Sequence, residues 1–433
     1  MLLFLFVLFL VVNVVFCRIS ILFYKRYWNP IFLSCIVFIV GCLLIAWDIE
    51  KKHFILIEEG LYWLFIGETC FIGSFFMFQY NTAKSIRRKS LLVKYNKNTL
   101  KLMSNLCVLF SVLESLIAYH VVMKAAGGEF LRIFMDSTAV RHEYLSRESS
   151  STLVVILQML ISFNFYCTFC LLPLALKEGC PNMKKKIGIV IFLRLFLSLI
   201  TMSKESFILT MAIFISANAT WTSGIKDEIR FLKKYSIYFV VLFIGLLLAT
   251  AFQRNYTAER YENYTDAVVG TLGGYIADPI KGYFIKISHP SPMLMGEQCF
   301  RPIVSILSRF GLSSTDASDS KQSAISEIDN LNVFSMYGNM YNDFGYWGIV
   351  LVSLFWGAIF GLLYCNLKTN RLSLIVTNAI ILSVFILSFY DFLLMQTVYV
   401  LTIVYAMIFE HIFKNYLYGN RNRHKFYSAK WKN

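Results

Sequence analysis

The segment 334–348, FSMYGNMYNDFGYWG, concentrates reactive and hydrogen-bonding side chains at the entrance to a long apolar run. Tyr341, Asn342 and Asp343 stand just before Gly345 and Gly348. Asp343 has two readings. A carboxylate at a helix start caps N–H groups that lack partners; the same carboxylate facing a cavity takes a proton from an attacking hydroxyl. Glu205 is a second candidate base. It lies beside Lys204 in the charged turn Ser203-Lys204-Glu205-Ser206, where the ammonium can meet an anionic headgroup. Arg254 and Arg260 follow an apolar run ending near Phe252, and Arg301 and Arg309 flank the amphipathic stretch FRPIVSILSRF at 300–310. A guanidinium is always charged and forks onto phosphate oxygens. Four of them near one membrane surface suit a lipid-linked pyrophosphate, and equally suit phospholipid anchoring. Tyr275, Tyr337 and Tyr341 offer ring faces to a sugar. No Gly-rich phosphate loop is present, so no nucleotide cofactor is expected. Outer His and carboxylate residues do not cluster, so no metal is expected.

The elements that must hold these residues are membrane helices. Of the 433 residues, 57% are hydrophobic and only 15% charged; a soluble domain carries roughly a quarter charged residues. Apolar runs long enough to span lie at 2–17, 31–47, 54–79, 101–122, 151–176, 187–203, 205–220, 235–252, 346–365, 373–390 and 394–412. This predicts an all-α polytopic membrane protein of about 11 transmembrane helices, within a range of 10–12. The chain reads as one membrane domain over 1–433, with a large outer loop at 253–345 holding short helices and a basic tail at 414–433. The first run has no basic residues ahead of it and reads as a retained helix. Spans 187–203 and 205–220 are short for a 30 Å core, which would set the Lys204–Glu205 turn below the outer surface.

Charge orients the bundle. Alternate loops and the tail hold 26 of the 41 Lys and Arg against three acids, Glu178, Asp227 and Glu228. By the positive-inside rule these are cytoplasmic, which puts the N-terminus outside and the C-terminus inside. The net charge of +15 is therefore an orientation signal, and no nucleic-acid partner is expected. The outer face is slightly acidic, which sets its few arginines apart. Within the spans lie Glu58, Glu59, Glu68, Glu114, Glu410 and Arg194. Glu58 and Glu59 are near enough to the outer end to snorkel. Glu410 is expected to meet the basic tail. Glu68 and Glu114 are deeper, and either pairs with Arg194 or serves catalysis. Cys167-Thr168-Phe169-Cys170 has redox spacing but an apolar setting, and reads as packing.

The pattern Tyr341-x-Asp343-Phe344-Gly345-x-x-Gly348, entering a span that ends Gly357–Tyr364 (GAIFGLLY), resembles the O-antigen polymerase (Wzy-type) family of oligosaccharide repeat-unit polymerases. The segments YIADPIKGYF at 275–284 and GEQCFRPIVSIL at 296–307, the broken pair 187–220 and the large outer loop extend the resemblance over about 187–365. The resemblance implies a bacterial inner-membrane glycosyltransferase joining repeat units on undecaprenyl pyrophosphate at the periplasmic face, the growing chain as donor and one lipid-linked unit as acceptor. It implies a chain-length regulator, a flippase and a ligase as partners beside membrane lipid. Pyrophosphate leaves without a general acid; Arg254, Arg301 and Lys204 would stabilise its developing charge, with Asp343 first and Glu205 second as base. A lipid-linked oligosaccharide flippase and an O-antigen ligase-like transferase remain open alternatives on the same residues.

Overall fold

A computed structural model of the chain describes residues 1–48, 57–86, 93–135, 152–201, 204–220, 225–231, 233–235, 277–289, 292–309, 334–364, 369–389 and 397–418, with isolated residues 140 and 245. Regular structure among them is helical, with no strand. The helices used below are α1 (Leu2–Tyr24), α2 (Pro30–Asp48), α3 (Glu58–Ile86), α4 (Lys97–Ala125), α5 (Arg132–Met135), α6 (Thr152–Phe169), α7 (Leu172–Lys177), α8 (Met183–Ile200), α9 (Lys204–Ala219), α10 (Arg301–Arg309), α11 (Met336–Leu363), α12 (Leu372–Ile386) and α13 (Thr397–Leu417). Residues 277–288 form a further helical stretch.

Six helices among the described residues are long and apolar enough to cross a membrane: Leu2–Tyr24, Glu58–Gln79, Lys97–Ala125, Ile156–Lys177, Met336–Leu363 and Val398–Leu417. Shorter apolar helices cover Pro30–Ala46, Phe207–Ala219 and Leu372–Ile386. The chain is thus a helical, multi-pass membrane protein. The expected span at 235–252 falls largely outside the described residues. α1 shows the lipid-facing pattern clearly. Only Phe9, Asn13, Cys17, Ser20 and Tyr24 are buried, one stripe at helical spacing, while Leu3, Phe4, Val7, Val11, Val14 and Leu22 stay exposed. α12 is the opposite case: apolar on all sides and buried along nearly its whole length, it runs through the core.

The closest helix pair is α3 with α11. Gly67 lies against Ile349, Gly357 against the carbonyl of Phe71 and Gly361 against the carbonyl of Phe75. Both numbers rise together, so the two helices run parallel. Gly357 and Gly361 form a small-xxx-small ridge that lets backbones approach, which is how helices associate where lipid removes the hydrophobic drive.

Loops that the charge rule groups together are found together. Glu228 accepts the N–H groups of Tyr27 (3.0 Å) and Trp28 (3.3 Å). Arg26 Nη1 donates to the Ala219 carbonyl at 3.0 Å, and Thr369 N–H to that of Thr220 at 3.3 Å. Asn370 exchanges two hydrogen bonds with the Val93 backbone, at 2.7 and 2.6 Å. At the other end Tyr283 donates to the Gly60 carbonyl at 2.9 Å and Tyr346 to Glu59 at 2.6 Å.

Two expectations about buried charge resolve differently. Arg194 forms a buried ion pair with Glu114 and lies 3.5 Å from the Phe165 ring centroid; Glu68 takes no part. The expected tail beyond Tyr418 lies outside the described residues; Glu410 meets Arg371, at 2.8 and 2.9 Å, and the Ser373 N–H at 2.7 Å. The reason is proximity: the α12 start and the α13 end share one end of the bundle, as the Tyr418 hydroxyl accepting the Leu372 N–H at 3.0 Å also shows.

Candidate functional site

α11 is two helices. Phe344 (φ −140°, ψ 18°) and Gly345 (φ 61°, ψ −147°) leave helical geometry, and Gly345 adopts a conformation open in practice only to glycine. In an unbroken helix Met340 and Ser353 would stand about 20 Å apart. Instead the Ser353 hydroxyl donates to Met340 Sδ at 3.3 Å, and Gly348 packs against the Met340 carbonyl. A Cβ at 348 would overlap that oxygen. The arm 336–343 therefore folds back along the arm 346–363.

The short arm lies inside the bundle. Met336, Tyr337, Gly338, Asn339, Met340, Tyr341, Asn342 and Asp343 are all buried. The Met336 N–H donates to Ser388 at 2.8 Å, just past the end of α12. Tyr337 packs against Gly67 and Phe38. α12 spans only 15 residues, about 22 Å, and its Phe385 already meets Phe71 and Phe75. The short arm occupies the space beyond its end. Irregular backbone at membrane depth is tolerated where protein surrounds it, and such broken helices mark substrate sites in other membrane proteins.

Asp343 closes the short arm. Its Oδ1 accepts the Gln298 N–H at 3.0 Å and its Oδ2 the Cys299 N–H at 2.6 Å. The carbonyls of Asn342 and Asp343 accept the N–H groups of Leu294 (2.9 Å) and Met295 (3.0 Å). Asn342 Nδ2 donates to Gln298 Oε1 at 3.3 Å. Met295 (φ 50°) and Gly296 (φ 97°) turn the chain left-handed so that successive N–H groups face the carboxylate. Capping was one expected role of Asp343, and it does cap backbone donors. They belong to the 294–299 turn, however, and not to the arm 346–363 that Asp343 precedes. Asp343 is 0% exposed, and each of its oxygens accepts one backbone N–H of the 294–299 turn.

Glu59 is an exposed carboxylate at the N-terminal end of α3. The Tyr346 hydroxyl donates to it at 2.6 Å, and the Tyr346 ring stacks on Trp63 with centroids 4.7 Å apart. Tyr341 lies against Tyr346 at 5.2 Å. Tyr62 (49%) and Trp347 (73%) are exposed on the flanks. Acidic and aromatic groups thus share one shelf, a combination that stacks on sugar rings and bonds their hydroxyls. By sequence Glu59 reads as a snorkelling carboxylate; its i, i+4 spacing to Trp63 on one helix face is the signal that points to the shelf.

Of the other expected residues, Arg301 opens α10, half-buried, two positions after Cys299. It is therefore carried by the turn that Asp343 holds. Phe300 packs on Phe344, Phe355 and Trp356. Ile303 and Leu307 of the expected apolar stripe are exposed, as suits a helix flanking the bundle in lipid. Lys204 and Glu205 open α9 and Arg309 closes α10, but their side chains lie outside the described residues, as do Arg254, Arg260 and Tyr275 altogether. Comparison of the chain with family models, with curated proteins and with solved structures gives no match.

Proposed function

We propose that this protein is an inner-membrane glycosyltransferase that polymerises undecaprenyl-pyrophosphate-linked oligosaccharide repeat units, for O-antigen or capsule, at the periplasmic face. The single observation that carries the reading is the folded-back helix 336–343, whose Tyr341 packs against Tyr346 of the Glu59–Trp63–Tyr346 shelf. The resemblance of this same segment to the O-antigen polymerase pattern adds to it. In this reading the outer end carries the site, the N-terminus is periplasmic, and about 11 spans cross the membrane. A chain-length regulator, a flippase and a ligase act in the same pathway.

The chemistry follows from the residues. The donor leaves as lipid pyrophosphate, so no acid is needed at the leaving oxygen. Arg301, with Lys204, Arg254, Arg260 and Arg309 as further cations, offsets the charge that develops there. Glu59 takes the proton of the attacking sugar hydroxyl, the task first expected of Asp343 or Glu205. Tyr346 orients Glu59 through its hydroxyl, and Tyr341 and Trp63 present ring faces. Asp343 positions the turn that carries Arg301. No metal or cofactor enters this scheme.

The test is a deletion strain whose surface polysaccharide is resolved on a gel. Core bearing a single repeat unit, restored to a ladder by the intact chain, is the expected result. Loss of even the single unit from the surface would overturn the polymerase reading in favour of a flippase or ligase.

A further inference from the structure

A second polar cluster lies deeper, away from the shelf and unused by the chemistry above. Glu68 is 2% exposed. It stands ten residues into α3, about 15 Å along the helix axis, near the middle of a core about 30 Å thick. Asn13 Nδ2 of α1 donates to its Oε2 at 2.9 Å, while Oε1 has no hydrogen-bond partner. No Lys, Arg or His among the described residues pairs with it.

The titratable groups facing Glu68 are all neutral in their ordinary forms. They are Cys17 on α1, Cys35 and Cys42 on α2, and Tyr337 on the folded-back arm. The Cys35 thiol touches both the Glu68 carboxyl and the Cys17 thiol. Asn13 Oδ1 and the Tyr337 hydroxyl are likewise buried and without a partner. An ionised carboxylate buried without a counter-charge costs several kcal/mol. Arg194 is paired with Glu114 on α4. A neutral carboxylic acid avoids the cost, and its O–H can donate to an unpartnered oxygen of the kind Asn13 and Tyr337 present.

We propose that Glu68 binds an exchangeable proton at the centre of the bundle, where α1, α2, α3 and the helix 336–343 meet. Release breaks only the carboxyl O–H bond, the proton passing to water or a buffer base. The charge left behind must be solvated, which requires water to enter between α1, α2 and the folded-back arm. The seating of that arm, and with it the mouth above, becomes proton-dependent. This inference rests on the bundle geometry and does not depend on the polymerase reading.

The test is infrared difference spectroscopy on the full chain in lipid nanodiscs, wild type minus Glu68→Gln. The expected spectrum contains a protonated-carboxyl C=O band that shifts in deuterated buffer and is lost reversibly as pH rises. Absence of the band overturns the proposal, because the group is then ionised. A band insensitive to both deuterium and pH also overturns it, because the proton is then not exchangeable. Should Glu68→Gln not fold, Asn13→Ala in its place is expected to shift the band frequency by removing the carboxyl's partner; an unshifted spectrum would count against the site. A polymerase phenotype bears on neither outcome.

Discussion

Asp343 is a charged residue with no exposure, held by two backbone N–H groups. Hydrogen bonds to charged groups contribute about 1.5–3 kcal/mol each, and their loss leaves buried donors unpaired. Asp343→Ala is therefore expected to lower the unfolding free energy by about 3 kcal/mol or more, read as a fall in melting temperature of the purified protein, with polymer lost as a consequence. Glu59→Gln separates the two carboxylates. Glu59 is exposed, so melting should be unchanged, while removal of a general base lowers turnover by about 10²–10⁴-fold. Wild-type chain length in Glu59→Gln membranes would remove Glu59 from the chemistry. Side-chain type and spacing pick out Asp343 and Tyr341 in one segment and Arg301 in another. They did not reveal that the Asp343 oxygens are spent on the 294–299 turn, because that contact joins residues more than 40 positions apart.

Helices in this bundle are matched through small residues and, among the described residues, the buried Glu114–Arg194 ion pair. A Cβ on Gly357 or Gly361 would overlap carbonyl oxygens of α3, and backbone cannot yield as a side chain tip can. Gly357→Leu should part α3 from α11, at a cost above the roughly 1–3 kcal/mol of ordinary overpacking; loss of monodisperse protein after mild heating is the measurement. Glu114 and Arg194 join α4 to α8. Either single replacement by Leu strands the other charge, which costs about 3–5 kcal/mol. The double replacement Glu114→Leu with Arg194→Leu is expected to recover most of it, and a double variant as unstable as the singles would refute pairing as the cause. The apolar runs announced nearly all of these helices. The break at Phe344–Gly345 was not announced: glycine is common in membrane helices, and only its left-handed φ, beside a Met340–Ser353 contact, marks this one as a reversal.

Across the whole molecule, the basic loops gather at one end of the bundle. Alkaline phosphatase fusions after Glu129 and Met295 should be active, and fusions after Lys94, Lys186, Asn370 and Lys414 inactive; an active fusion at Lys94 would invert the topology. Glu228 adds a pH dependence to the assembled end. Burial pushes its carboxyl above the ordinary range, against the opposing pull of the Trp28 and Tyr27 N–H groups and Arg26. A raised folded-state pKa means that the folded form binds the proton more tightly. Its contribution is complete below the unfolded carboxyl's pKa of about 4.3 and is lost as pH rises through the folded one. Melting should accordingly fall over that window in the wild type, with that component absent in Glu228→Gln.

The sequence by itself determined the solvent, the helical form and the grouping of loops. Each follows from terms that act locally and add along the chain: apolar transfer energy, backbone hydrogen bonds that lipid will not satisfy, and the charge bias of short loops. The tertiary structure alone decided which buried charges meet, where α11 reverses, and that Asp343 holds the 294–299 turn while Glu59 stays exposed. Those outcomes depend on pairings between distant segments, such as Arg194 with Glu114 or Asp343 with the 298–299 backbone. No periodicity or composition encodes such a choice, because each partner alone has the same hydropathy whichever neighbour it finds.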